Sequence, residues 1–198
     1  MSSIQIAGDT SGSITLSAPA VAGANTITLP AVTGTILTTA YTGDVTFGGT
    51  LTVTDDATIN GLTVGKGANS VAANTALGVD ALDSGSLSGT NNTAVGYNAL
   101  LSNTTGASNV AVGKNTLDAN TTGNYNTGLG QGALGANVSG IDNTAVGQGA
   151  MGANTGSYNV AVGKTALTIN TTGEYNTAIG TAALYKNISA SNNTAVGY

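Results

Sequence analysis

Along the last two thirds of the chain, an Asn opens a five-residue phrase of alternating polar and apolar positions that closes on Gly. The phrase returns at Asn74, Asn92, Asn109, Asn126, Asn143, Asn159, Asn176 and Asn193, at spacings of 18, 17, 17, 17, 16, 17 and 17 residues. Alternation over so few residues predicts a short β-strand. A unit of this length is too short for helical-pair repeats, which need about 33 residues or more. Gly also recurs where it would weaken a helix by about 1 kcal/mol each time. The unit therefore predicts one turn of a parallel β-solenoid. The Thr-Ala-Val-Gly segment reads as its first strand, the following Ala-Leu segment as its second, and Asn-Thr-Thr-Gly as the outer turn, because Asn and Gly tolerate positive φ.

Successive side chains of a strand point to opposite faces. The fourth position of the phrase is always aliphatic: Leu77, Val95, Val112, Leu129, Val146, Val162, Ile179 and Val196. It is expected to fill the coil core, joined from the second strand by Leu82, Leu100, Leu117, Leu134, Met151, Leu167 and Leu184. The third position, on the opposite face, is Ala76, Ala94, Ala111, Gly128, Ala145, Ala161, Ala178 and Ala195. A strand face open to water would vary and carry charge. This one is small and apolar in all eight copies, which predicts close packing of identical chains about a common axis.

Energetics point the same way. Two large aliphatics per coil contribute roughly 3–6 kcal/mol, whereas ordering 17 backbone residues costs on the order of 17–34 kcal/mol. Stacked neighbours have to supply ladder hydrogen bonds and shared core. Eight coils at about 4.8 Å predict a roll roughly 35 Å long.

The first third lacks the repeat. Ser13–Ser17 and Asn25–Leu29 alternate as strands and end near Pro19 and Pro30. From Gly43 to Gly65, the pairs Val45/Phe47, Leu51/Val53, Ala57/Ile59 and Leu62/Val64 are separated by Gly or Asp turns. They predict the very short strands of a narrow, intertwined β-prism. The expected organisation is all-β: a short-strand attachment region over 1–42, a prism or connector over 43–66, and a β-roll over 67–198.

Composition narrows the function classes. The net charge is −5, and all four basic residues are Lys. This argues against a nucleic-acid partner, which calls for a basic patch. Cys and His are absent, so no disulfide framework and no conventional nucleophile–base pair is available, and neither an enzyme nor a bound cofactor is expected. A transition-metal site would rest on scattered carboxylates alone, and none is expected. No apolar run approaches the roughly 18 residues of a membrane helix, and Met1–Ile6 lacks the features of a secretory signal. The 40% hydrophobic content is placed periodically, which favours an ordered repeat over disorder.

Four sharper motifs lie within or beside the repeat. Gly130–Gly135 and Gly147–Gly152 match G-x-G-x-x-G, but no helix follows, so they read as two copies of the repeat with Gly at variable positions. Asn103, Asn120 and Asn170 head Asn-Thr-Thr sequons that read as turns, with their Asn side chains stacking as ladders between coils. Asp55-Asp56 lacks the further oxygen ligands of a Ca²⁺ site and reads as a polar turn. Tyr125, Tyr158 and Tyr175 precede the repeat's Asn, while Tyr97 and Tyr198 follow its Gly. Such residues can stack on sugars, and scattered surface Tyr is the simpler reading.

The N-x-A-[V/I]-G unit resembles the β-roll repeats of trimeric autotransporter adhesin heads. The fuller wording "NNTAVGYNALLSNTTG" and "GNYNTGLGQGALGAN" resembles tail-fibre proteins of tailed bacteriophages. So do the opening "IAGDTSGSITLSAPAVAGANTITLPAVTGTILTT" and the connector "GDVTFGGTLTVTDDATINGLTVG". The phage resemblance spans nearly the whole chain. The adhesin resemblance implies a left-handed roll, while the phage resemblance implies a homotrimeric fibre assembled in the host cytoplasm as part of the virion. Its N-terminal region would join other tail or baseplate proteins, and a host surface receptor, a glycan among the candidates, would bind at or beyond the C-terminus. An autotransporter would begin with a signal peptide and end with a membrane anchor, and this chain shows neither. No distinct tip or chaperone domain is visible, and the final coil would leave an open edge. The chain is therefore expected to continue or to be capped. The alternatives are the head of a bacterial surface adhesin and an ice-binding solenoid. The latter would use the second-position column of Thr75, Thr93, Thr127, Thr144, Thr177 and Thr194, interrupted by Val110 and Val160. Parity puts that column on the face of the fourth-position aliphatics, which is read here as inward.

Overall fold

The computed structural model describes residues 57–59 and 62–198. The attachment region expected over 1–42 lies outside the described residues, as does most of the expected prism. The described part opens with a hairpin, β1 (Ala57–Ile59) and β2 (Leu62–Gly65), followed by a single 3₁₀ turn over Ala68–Ser70. Eight three-residue strands follow: β3 (Thr75–Leu77), β4 (Thr93–Val95), β5 (Val110–Val112), β6 (Thr127–Leu129), β7 (Thr144–Val146), β8 (Val160–Val162), β9 (Thr177–Ile179) and β10 (Thr194–Val196).

All ten strands form one sheet in sequence order. From β3 to β10 each strand pairs parallel with the next, and equivalent repeat positions face each other: Ala94 opposite Ala111, Val95 opposite Val112. The described part forms a parallel β-solenoid of about seven turns, and each pentapeptide supplies one rung. The hairpin closes the first rung, with β2 running antiparallel to β3 and Val64 opposite Leu77.

Each coil has one strand where two were expected. The Ala-Leu segment is a tight turn, and its Leu sits at positive φ: +53° at Leu100, +53° at Leu117, +54° at Leu134 and +52° at Leu167. Bulky residues are uncommon there. Complete burial offsets the strain, since an interior Leu contributes about 1.5–3 kcal/mol.

The strands turn opposite faces to those expected. The Ala column, assigned to an assembly axis from sequence, points into the coil: Ala94, Ala111, Ala145, Ala161 and Ala178 are 0% exposed. Ala76 and Gly128 are buried beside them, and Ala195 is partly buried in the last rung. The fourth-position aliphatics, assigned to the core, lie on the outer face. The reason is the thinness of the coil. The turn Leu column already fills its width, with Leu82, Leu100, Leu117, Leu134, Met151 and Leu167 all buried and Leu184 partly so. Only a methyl group, or no side chain at all, fits opposite.

Two asparagine ladders complete the interior. The Asn that opens each pentapeptide accepts the backbone N–H of the next one: Asn92 N–H donates to Asn74 Oδ1 at 2.8 Å, and Asn126 N–H to Asn109 Oδ1 at 2.9 Å. Its Nδ2 donates across the coil to the carbonyl of the turn Gly, as Asn109 does to Gly123 at 2.8 Å. The second ladder starts each Asn-Thr-Thr-Gly turn and matches the expected stacking. Asn120 Nδ2 donates to Asn103 Oδ1 at 2.9 Å and to Gly123 O at 3.1 Å. These bonds satisfy amides that would be costly to bury unpaired.

The turn glycine is needed for space, because it is not at positive φ. A Cβ on Gly123 would overlap Asn120 Oδ1 and the carbonyl oxygen of Gly140. The glycine that ends each strand meets both demands. At Gly113, φ is +135° and a Cβ would lie 2.8 Å from the carbonyl carbon of Gly130 one coil on.

Candidate functional site

The reversal of faces leaves an ordered outward surface along the described repeats. Two columns point outward from the same sheet. One is the second position: Thr75, Thr93, Val110, Thr127, Thr144, Val160, Thr177 and Thr194. The other is the fourth: Leu77, Val95, Val112, Leu129, Val146, Val162, Ile179 and Val196. Strict parallel register aligns both columns over eight rungs. At about 4.8 Å per rung the stripe is roughly 34 Å long. It carries no charged residue.

Its aliphatics are only half-covered: Leu129 is 47% exposed and Ile179 41%, in the middle of the array as well as near its end. A lone exposed aliphatic needs no explanation. A continuous column of them marks an interaction surface. The backbone beneath is held by inter-coil hydrogen bonds on both sides of each strand, such as Thr93 N–H to Asn109 O at 2.8 Å and Gly96 N–H to Leu77 O at 2.8 Å. The surface is therefore preformed and would bind without ordering its backbone.

The remaining polar features are scattered. Asp118 is partly buried beside the turn, and burial pushes its carboxyl above the ordinary value of 3.8 against the opposing bonds from the Asp118 and Ala119 N–H groups. Lys114 Nζ stands 5.7 Å from the ring centroid of Tyr97 one rung away. Tyr158 and Tyr175 stack with centroids 4.9 Å apart and planes 2° from parallel. The Tyr residues preceding the repeat's Asn are thus arranged in one file along a corner rather than scattered. Among the described residues no three potential metal ligands gather, and no helix is long and apolar enough to cross a membrane.

The two G-x-G-x-x-G matches also resolve structurally. Gly130 and Gly147 are strand-ending glycines pressed against the next coil. Gly132 and Gly149 occupy the left-handed position that Asn98, Asn115, Thr165 and Ala182 hold in other coils. They belong to the coil geometry and form no loop before a helix. Compared with known proteins, the chain finds no matching family model, no curated protein and no solved structure that aligns with it.

Proposed function

We propose that this chain is a structural element of a tailed-phage virion: a β-roll shaft of a trimeric tail fibre, attached through its N-terminal region and extending towards a host-cell receptor. The observation that carries the reading is the uncharged outward stripe of Thr, Val, Leu and Ile. A rod 35 Å or so long with one apolar side is best covered by equivalent stripes of two further copies. Three stripes meeting about an axis bury all of their aliphatics and leave the turns and corners outside. The wording of the repeat and of the N-terminal third supports a phage fibre over other rods. Immunogold electron microscopy with an antibody against residues 67–198 tests this reading. Label on a tail appendage of virus particles is expected. Label on bacterial envelopes instead would make the chain a cell-surface adhesin and overturn the phage assignment.

A second reading is favoured by the outward Thr column. Regularly spaced Thr hydroxyls on a flat sheet suit an ice surface, and the parity argument against this reading is lost with the reversal of faces. Val110 and Val160 interrupt the column. Thermal hysteresis in solutions of the protein would select this reading, and its absence would remove it.

A further inference from the structure

The position before each repeat's Asn forms one corner of the solenoid. Tyr125, Asp142, Tyr158 and Tyr175 occupy it on four consecutive rungs. Their backbone N–H groups donate to the preceding coil in the same pattern: Tyr125 to Ala107 O at 3.1 Å, Asp142 to Asn124 O at 3.0 Å, Tyr158 to Ile141 O at 3.0 Å and Tyr175 to Ser157 O at 3.4 Å. All four have nearly the same φ, between +54° and +59°. Their Cα–Cβ bonds therefore leave the corner in parallel.

The filled part of this file shows what that geometry does. Tyr158 and Tyr175 lie face to face at 4.9 Å, one rung apart. On the Asp142 rung the file holds a short carboxylate where a ring would continue the stack. The backbone positions that carry Tyr125 and Tyr158 are two rungs apart, about 9.6 Å. Rings leaving these positions in parallel, as those of Tyr158 and Tyr175 do, would place a group midway about 4.8 Å from each, inside the roughly 6 Å reach of a cation–π contact. Among the described residues no side chain bonds or pairs with the Asp142 carboxylate, and Asp142 is exposed. Tyr125 is 63% exposed and Tyr158 40%, so the rings contribute little to the core. Tyr is also a poor residue for this backbone region, which Asn or Asp adopts more readily. The stack with Tyr175 accounts for the Tyr158 ring, but no local contact accounts for the Tyr125 ring on the far side of the acid.

We propose that this slot, walled by Tyr125 and Tyr158 with Asp142 at its floor, binds a small organic cation of the quaternary-ammonium class. The two ring faces attract a desolvated cation, and the carboxylate supplies the counter-charge. The net charge of −5 favours approach of cations over anions. A neutral sugar would gain stacking and a hydrogen bond but nothing from the charge. The site uses a corner of the rod, two residues before the outward second-position column, and does not depend on what the rod is for.

The test is a titration of the full chain, labelled with fluorotyrosine, with tetramethylammonium chloride against matched sodium chloride, read by fluorine NMR. Tyr125 and Tyr158 are expected to shift saturably, with a dissociation constant on the order of 1–100 mM for so open a site. Tyr185, on another column, serves as the internal reference. Asp142→Asn is expected to weaken binding about threefold or more. Asp142→Tyr, which fills the slot with a ring, is expected to abolish it while leaving the fold unchanged by circular dichroism. The proposal is overturned if the two resonances move linearly, no more than Tyr185, up to about 200 mM. It is equally overturned if Asp142→Tyr binds as the parent does, or if a methyl glucoside saturates the site and the cation does not.

Discussion

Gly128 is the one glycine in the inward Ala column, and its neighbour accounts for it. A Cβ at Gly128 would lie 2.6 Å from Thr116 Cγ2, 3.4 Å from Ala133 O and 3.6 Å from Leu117 Cδ1. Thr116 is fully buried at the turn position where other coils have Ala99, Ala133, Ala150 or Ala166, and its hydroxyl donates to Gly130 O at 2.7 Å. The larger Thr and the missing methyl group therefore compensate each other across one coil. Carbon atoms pack at about 3.5–4.0 Å, so Gly128→Ala overlaps Thr116 by roughly 1 Å. Overpacking of this kind costs about 1–3 kcal/mol. The φ of Gly128 suits Ala, which returns about 0.4–1 kcal/mol through the unfolded chain. The net loss is about 1–2 kcal/mol, a fall in Tm of roughly 2–8 °C for a chain of this size. Thr116→Ala alone leaves a void and removes one of the two hydrogen bonds to the Gly130 carbonyl, which keeps the Ala133 N–H at 3.2 Å, at about 1–2 kcal/mol. The double variant rebuilds the Ala–Ala pair of the other coils and is expected within about 2 °C of the parent. Thermal unfolding of the four proteins measures this coupling. A Gly128→Ala protein as stable as the parent, or a double variant that merely sums the two losses, would refute the inward assignment of the Ala column.

The paired glycines of the G-x-G-x-x-G match should separate sharply. Gly130→Ala places a Cβ 2.8 Å from the next coil's Gly147 carbonyl and is expected to lower stability by about 3 kcal/mol or more, whereas Gly132→Asn, with open space around it, should be neutral or stabilising in a denaturant titration. The 16-residue coil between Asn143 and Asn159 breaks the second asparagine ladder: Asn137 Oδ1 is buried without a partner, while Asn154 Oδ1 accepts from both Asn170 and Asn159. Inserting one Thr between Thr155 and Gly156 restores the common length and is expected to raise Tm by about 2–6 °C, with unchanged or lower Tm as the contrary result. Burial raises the Asp118 pKa, so the folded state holds that proton more tightly than the unfolded chain. Its favourable contribution is present below the ordinary 3.8 and lost as pH rises through the elevated value. Asp118→Asn should therefore be the more stable protein at pH 7 and lose its advantage on acidification below 3.8, as followed by Tm against pH.

The period, the first strand of each coil and the Asn turn ladder were legible in the sequence, because each repeats in every copy; the second strand expected over the Ala-Leu segment was not there. The facing of the strand was not. Alternation separates two faces but does not say which is inside, and the larger side chains had been assigned inward. Asn carried the missing signal. It stands two residues before the Ala of the same strand and so shares its face, and a ladder of Asn recurring in every coil belongs inside. Thr116 opposite Gly128 carried it as well, since volume is exchanged only between residues that touch. The left-handed Leu of the turn could not be read, because its burial, which outweighs local preference, exists only once coils stack. The Tyr–Asp–Tyr file was equally hidden, since it depends on register between residues about 17 apart.

The central claim is that the outward stripe is covered by further copies of the chain. Light scattering coupled to size exclusion tests it most directly, on the parent protein and on Val146→Glu, which places a charge in the middle of the stripe. The parent is expected near three times 19.0 kDa, and Val146→Glu is expected to shift towards 19.0 kDa while keeping the β-sheet signal of the folded coil. A parent that elutes as a folded 19.0 kDa monomer, or a Val146→Glu variant that remains trimeric, would contradict the account.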